Sequence, residues 1–336
     1  MRYFLFYKYY IYSQIIKFRM DMKKLCIIGN GFDMHHQMKT NYEKFHDYVV
    51  ANYPDLLEVM EQYYNIENDS ELWSEFEKGL AGFDPEVLQD KFSEEGLEAD
   101  YGSDEFRDRD MYAYQIAIES ELEPLENDLQ EAFAKWIDSQ PYPADIDSYK
   151  ITLDASTFYL TFNYTTTLED IYHIPESQIL HIHGKAGSSE KLVFGHSVKP
   201  EEWKDVIEPQ REIPDGLSDE ELHEYLEEES EGYSFTYDNG INAIVSFFNK
   251  IYKNTRKIIS ENMSFYENLA DLEEITIYGH SLSEVDQPYY AELCNHIEIA
   301  KVKWIVYYYS STEQAQFKNF VLNLGVPESL IELRSW

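Results

Sequence analysis

The chain has 336 residues, enough for one large domain or two ordinary ones, and its hydrophobic content of 43% excludes wholesale disorder. With 27 basic against 64 acidic residues, the formal net charge of −37 argues against nucleic-acid binding through a broad basic face. Two cysteines, Cys26 and Cys294, make no disulfide framework, as is typical of a reducing cytosol. We therefore expect a cytoplasmic protein that does not bind nucleic acid.

Residues 1–21 differ from the rest of the chain because they are basic and aromatic. They lack a signal-peptide cleavage site, and Lys8 interrupts the apolar run, so we expect no membrane insertion. Two interpretations stay open: a poorly ordered extension, or an upstream start ahead of Met20 or Met22. Residues 22–336 are predicted to form a single α/β domain.

The stretch that follows reads as a buried strand, a glycine turn and the start of a helix. Residues 25–28 are a short apolar run, typical of a strand that is covered on both faces. Gly29 and Gly31 allow positive φ and a close approach of the backbone to a ligand. In open α/β folds, such a loop at the carboxyl edge of a parallel sheet binds phosphate-bearing ligands. Met34 stands where the dinucleotide fingerprint would need a third glycine, so an ordinary tight turn is the alternative.

Helical and strand patterns then alternate along the chain. A helical insertion is predicted at about 42–150, in which the acidic, turn-rich residues 83–110 are expected to form an irregular surface excursion. An acidic, lid-like segment is predicted at about 201–232. Further strands are predicted at 157–162, 178–183, 192–195, 274–278 and 302–308, with a long helix at 239–269. This order predicts an α/β fold with a mainly parallel, Rossmann-like sheet and an inserted helical subdomain.

Four predicted strands end in polar residues, at 29–33, 161–165, 181–184 and 279–286. If these strands are parallel neighbours, all four ends meet at one crevice. Such convergence of polar groups is typical of a ligand site.

These motifs together resemble the bacteriophage abortive-infection AbiH family and, more distantly, the sirtuin-like NAD-binding fold. In chain order the markers are GNGFDMHHQMKTNY, ELWSEFEKGL, TFNYTTTLEDIY, HIHG and YGHSLSEVD, which begin at residues 29, 71, 161, 181 and 278. They cover much of the chain from Lys23.

The resemblance implies NAD as substrate or ligand, with Asn163 and His183 as catalytic residues beside the nicotinamide ribose. An amide could hold a water in line with the anomeric carbon, and an imidazole could accept a proton. The residues expected to bind the nucleotide are Gly29, Asn30, Gly31, Phe32, Asp33, His35, Thr161, Gly279, Ser281 and Asp286. Thr165 departs from the sirtuin aspartate, and two cysteines cannot build the sirtuin four-cysteine zinc module, so we expect neither protein deacylation nor a metal.

Simpler interpretations stay open beside these roles. The whole role of Asp33 could be to close an Asx turn. Asn163 could cap the next helix, and His183 could be an interior hydrogen-bonded histidine. Ser281 and Asp286 could serve as helix caps.

The sequence leaves two other site chemistries open. His181 and His183 lie two apart on a predicted strand, so both rings are expected to point to the same face. With His196 or His280 they could ligate zinc. The sequence at 279–283 is similar to a nucleophile elbow, except that Ser283 replaces the final glycine.

The sequence thus predicts an anti-phage abortive-infection protein that binds NAD or a related nucleotide and cleaves the nicotinamide–ribose bond. The alternatives are a non-catalytic nucleotide sensor and a protein-interaction module. A phage or host protein as trigger and a second copy of the chain are further expected partners. No membrane partner is expected.

Overall fold

The structure, a computed structural model, describes residues 22–64, 73, 76–94, 104–188, 191–207, 218 and 235–336. The extension predicted at 1–21 and most of the lid-like segment predicted at 201–232 lie outside these residues. In the described part of the chain, no helix is long and apolar enough to cross a membrane.

Six strands form one sheet in which every pair is parallel. They are β1 (Lys24–Ile28), β2 (Phe158–Thr161), β3 (Ile179–His181), β4 (Glu274–Tyr278), β5 (Lys303–Tyr308) and β6 (Ile331–Ser335). Their order across the sheet is β3-β2-β1-β4-β5-β6, the order of a doubly wound Rossmann sheet. The predicted α/β fold with a parallel, Rossmann-like sheet is confirmed.

Helices occupy most of the intervening chain. In order they are α1 (Asn30–His35), α2 (Tyr42–Asn52), α3 (Pro54–Tyr63), α4 (Phe76–Gly79), α5 (Pro85–Glu94), α6 (Ala113–Glu123), α7 (Leu129–Asp138), α8 (Thr167–Asp170), α9 (Pro200–Ile207), α10 (Phe235–Lys250), α11 (Thr255–Glu261), α12 (Met263–Tyr266), α13 (Gln287–Asn295) and α14 (Ser311–Asn323). A π-helical turn at Pro124–Asp128 joins α6 to α7.

The sheet belongs to the first of two compact units, which comprises the described parts of 1–45, 133–193 and 254–336. Successive residues of β1 enter opposite cores, as the period of a strand requires. Leu25 and Ile27 belong to one core, whereas Cys26 and Ile28 belong to the other. Because β1 is covered on both faces, its sequence is apolar from Leu25 to Ile28.

The second unit comprises the described parts of 46–132 and 194–253 and is helical. Helices α6 and α10 pack closely, because Gly240 of α10 lies against the ring of Tyr114. The Nζ atom of Lys253, which is fully buried, lies 2.8 Å from Oε2 of Glu77.

Three element predictions were wrong. Residues 192–195 form no strand, although Val193 donates a backbone hydrogen bond to His183. The helix predicted at 239–269 is divided into α10, α11 and α12, since the chain leaves helical geometry at 251–254. Helix α5 stands where an irregular acidic excursion was expected, and it buries Leu88.

Candidate functional site

The switch point of the sheet lies between β1 and β4, where open α/β folds bind their ligands. Here the two loops that leave these strands are joined through their backbones. The Gly29 amide donates to the Tyr278 carbonyl at 3.0 Å, and the Gly31 amide donates to the Gly279 carbonyl at 2.7 Å. The Phe32 amide donates to the Gly29 carbonyl at 2.9 Å. These three amides of the predicted phosphate loop are therefore bound to the protein's own carbonyls.

The glycines are required by this close backbone contact. A Cβ atom at Gly29 would lie 2.5 Å from Cα of His280, and one at Gly31 would lie 2.8 Å from Cα of Gly279. Neither glycine uses the positive φ that it allows: Gly29 has φ −121°, and Gly31 is not among the positive-φ glycines. Position 279 requires glycine, because its φ is +62° and a Cβ atom would have no room beside the backbone amide of Phe32.

The side chains of α1 are held by the protein around them. The Asn30 carboxamide donates to the Thr40 carbonyl at 2.8 Å, and Phe32 is fully buried. The two ring nitrogens of His35 lie 3.1 Å from the Tyr309 hydroxyl and 3.1 Å from the Tyr149 carbonyl. Asn30 and His35 thus connect α1 to Thr40, Tyr149 and Tyr309.

Asp33 forms the polar centre of the carboxyl edge. Its Oδ2 accepts from Nδ2 of Asn163 at 3.0 Å and from the Thr165 hydroxyl at 2.6 Å. Its Oδ1 accepts from the Thr167 hydroxyl at 2.7 Å. All three donors come from the segment that follows β2, so the Asx-turn interpretation of Asp33 was wrong. The structure brings Asp33 and Asn163 together as the convergence argument predicted.

Burial raises the pKa of Asp33 from 3.8 to about 6, because the side chain is only 1% exposed and ionisation is disfavoured there. The hydrogen bonds from Thr165, Thr167 and Asn163 oppose this shift, since they favour the charged form. A carboxyl group with a pKa near neutrality in a cluster of polar side chains is typical of functional sites.

The orientation of the Asn163 carboxamide follows from Asp33. A carboxylate only accepts hydrogen bonds, so Nδ2 of Asn163 must face Asp33 and Oδ1 must point away. That Oδ1 atom is buried and has no hydrogen-bond partner among the described residues. Asn163 does not cap α8, whose N-cap is Thr166, so the capping interpretation was wrong. Thr161 is buried, and its hydroxyl oxygen accepts a hydrogen bond from the backbone amide of Asn163.

His181 and His183 have separate environments, so the expectation that they share one face was wrong. Strand β3 ends at His181 and the chain then turns. His181 lies 3.2 Å from the Asn163 carbonyl and 2.9 Å from Oε1 of Glu169. His183 is 3% exposed, and its Nε2 lies 3.2 Å from the Tyr289 hydroxyl. In the described residues, no group of three or more His, Cys, Asp or Glu side chains could hold a metal ion.

The loop after β4 is built around His280. The Leu282 amide donates to Nδ1 of His280 at 2.9 Å, and Leu282 has a positive φ of 53°. Nε2 of His280 lies 3.6 Å from Oδ2 of Asp286, and the side chain of Asp286 does not cap α13. Ser281 is exposed. The aromatic ring of Phe162 contacts both His280 and His183, so these two imidazoles flank one buried ring.

Comparison with known proteins identifies the family to which these motifs belong. A family model described as Bacteriophage abortive infection AbiH matches residues 25–308. The chain belongs to the AbiH family. The match begins in β1 and ends in β5, so it contains the Asp33–Asn163 cluster and both histidine environments. Membership of the AbiH family suggests a role in phage abortive infection. No curated protein and no solved structure matches the chain.

The sequence did not single out Thr165, Thr167 and Glu169 as parts of the site. The two threonines alternate after Asn163 in TFNYTTTLED, a pattern that could have indicated two hydroxyls directed at one acceptor. Glu169 gave no such signal, because it is one of 64 acidic residues.

Proposed function

We propose that this AbiH protein acts in the cytoplasm during phage infection, where it binds NAD or a related nucleotide and cleaves the nicotinamide–ribose bond. Depletion of the dinucleotide would arrest the infected cell. The observation that supports this most is the fixed carboxamide of Asn163 just after β2, whose buried Oδ1 has no donor within the part of the chain that the structure describes.

In the proposed reaction, a water molecule donates a hydrogen bond to Oδ1 of Asn163 and attacks the anomeric carbon of the nicotinamide ribose. The bond from that carbon to the ring nitrogen breaks, and nicotinamide leaves as a neutral molecule with the electron pair of the bond. The water gives up one proton, for which His183 is the proposed acceptor. The products are ADP-ribose, nicotinamide and a proton.

Asp33 supports this proposal as a positioning residue. Its contact with Nδ2 prevents the carboxamide from rotating by 180°, which would exchange the acceptor for a donor. The Thr165 and Thr167 hydroxyls hold the Asp33 carboxylate in turn.

The second candidate is a nucleotide sensor without turnover. It is favoured by the surroundings of His183, which is almost fully buried beside the Tyr289 hydroxyl. A histidine in such a place can be purely structural. A sensor would bind the nucleotide at the same edge and change the state of a partner protein.

The deciding experiment incubates purified protein with NAD and follows free nicotinamide, with and without lysate of phage-infected cells. The wild type is compared with Asn163→Ala and His183→Ala. The control is His173→Asn, which removes an exposed imidazole at a position with φ 56° that asparagine tolerates. Release by the wild type and the control, but not by the two site variants, supports the glycohydrolase. Stabilisation by NAD or ADP-ribose without release of nicotinamide supports the sensor. If the protein neither cleaves NAD nor is stabilised by it, NAD is removed from the proposal.

A further inference from the structure

The two carboxylate oxygens of Glu169, on the short helix α8, have different environments. Its Oε1 faces His181 Nε2 at 2.9 Å and Lys185 Nζ at 3.5 Å. Its Oε2 is buried and has no hydrogen-bond partner among the described residues. Burial is the largest single effect and raises the pKa of Glu169, but the hydrogen bond and charge of His181, a backbone hydrogen bond and the charge of Lys185 together outweigh it, so the net shift is downward. The carboxyl group therefore stays ionised near neutral pH, with one oxygen held and the other available.

His181 connects Glu169 to Asn163, since its other ring nitrogen lies 3.2 Å from the Asn163 carbonyl. Each of these two residues has one buried oxygen, Oε2 of Glu169 and Oδ1 of Asn163, for which the described residues supply no donor. Both residues are fixed, one through His181 and the other through Asp33. One imidazole therefore contacts both residues that carry these acceptors, through the Asn163 backbone carbonyl and Oε1 of Glu169.

The chemistry of these two oxygens restricts what can bind them. A buried acceptor without a donor is unfavourable, so a ligand that donates hydrogen bonds is favoured there. A phosphate group offers no suitable donors, and the charge of Glu169 repels it. A pair of sugar hydroxyls donates two hydrogen bonds to neighbouring acceptors. We propose that Oε2 of Glu169 and Oδ1 of Asn163 form a subsite for the vicinal hydroxyls of a ribose.

This subsite deepens the proposed function, because it identifies a ribosyl group as what the carboxyl edge recognises. It assigns a ligand-binding role to Glu169. It also predicts discrimination against deoxyribosyl compounds, since a missing hydroxyl leaves a buried acceptor unpaired.

The test measures binding of NAD and of NAD analogues that lack the 2′ or 3′ hydroxyl of the nicotinamide ribose. Glu169→Gln keeps the shape but can place an NH2 group where Oε2 stood, which exchanges an acceptor for a donor. Glu176→Gln is the matched control: Glu176 also pairs with Lys185, at 2.7 Å, but its side chain is 75% exposed.

We expect the wild type and Glu176→Gln to bind NAD at least about tenfold more tightly than one of the deoxy analogues. Glu169→Gln should lose this preference. Equal affinity of the wild type for NAD and both analogues would overturn the subsite while leaving nucleotide binding intact.

A second measurement separates the subsite from the NAD proposal. D-ribose and 2-deoxy-D-ribose, at tens of millimolar, are added to the wild type and to Glu169→Gln, and chemical shifts are followed by NMR. If no nucleotide binds but ribose binds the wild type more tightly than 2-deoxyribose does, the subsite stands and NAD is the wrong ligand. If neither sugar nor nucleotide binds, the two acceptors bind only water and both proposals fail.

Discussion

The carboxylate of Asp33 and the carboxamide of Asn163, 130 residues apart in the chain, are joined by a 3.0 Å hydrogen bond. This contact links the segment after β1 to the segment after β2 and fixes which atom of Asn163 faces away. Because burial raises the pKa of the Asp33 carboxyl group, its ionisation also makes the stability of the protein depend on pH.

Asp33→Asn should change this pH dependence. The pKa of Asp33 is raised in the folded protein from 3.8 to about 6, so its contribution to stability is greatest below pH 3.8 and is lost as the pH rises through about 6. Across this window the wild type should lose about 3 kcal/mol of unfolding free energy relative to the variant. Urea denaturation of dilute protein at pH 4 and at pH 7 measures the difference. A constant difference would show that Asp33 ionises normally.

Thr165→Val should destabilise the protein at neutral pH, because it removes a 2.6 Å hydrogen bond to the buried Asp33 carboxylate. The expected loss is about 1.5–3 kcal/mol at pH 7.5, and it should shrink at pH 4, where the carboxyl group is protonated. The control is Thr166→Val, which removes an equally short but exposed hydrogen bond to Asp170. If both valine variants lose the same amount at both pH values, the Thr165 hydroxyl is not stabilising a charge.

Gly279→Ala should destabilise the joined loops of β1 and β4. Its φ of +62° is strained for alanine, and a Cβ would lie 2.1 Å from the Phe32 amide nitrogen. We expect a loss of about 2–4 kcal/mol, measured by thermal or urea denaturation. At Gly82, a Cβ would meet no described atom within 4 Å, so Gly82→Ala should stay within about 0.5 kcal/mol of the wild type. A neutral Gly279→Ala would mean that the loops separate easily.

Ser310→Ala should weaken the start of α14, because the Ser310 hydroxyl oxygen accepts from the Glu313 amide at 3.2 Å. Loss of such an N-cap costs about 1 kcal/mol. Ser311→Ala, one position along on the exposed side of the helix, is the comparison and should be nearly neutral. Equal effects of the two substitutions on urea denaturation would exclude a capping role for Ser310.

The sequence contained enough information for the sheet and for the edge where polar residues gather. Short apolar runs ending in glycine or in polar residues predicted β1, β2 and β4, because a strand covered on both faces has no polar alternation. Their order in the sheet depends on pairings between distant segments, which periodicity does not report. Strand β6 was missed because its exposed end makes it polar.

The candidate site was predictable only in part, for a physical reason. Asp33 and Asn163 lie at strand ends, where topology alone brings side chains together. The glycine loop is ambiguous, since a close approach to a ligand and a close approach to Gly279 require the same small residue. The contacts of His181 depend on where β3 ends. If the strand were shifted by one residue, this side chain would face other partners.

The central position of β1 has a consequence for how the chain is made. Leu25 pairs with Phe158 on one side and with Ile275 on the other, so both neighbours of this strand come from far along the chain. Closing such long loops is slow and follows synthesis of the later strands. A chain still on the ribosome cannot place β1 between its two partners until residues beyond 278 have emerged. The edge that carries Asp33 and Gly279 therefore cannot form before β4 has been synthesised.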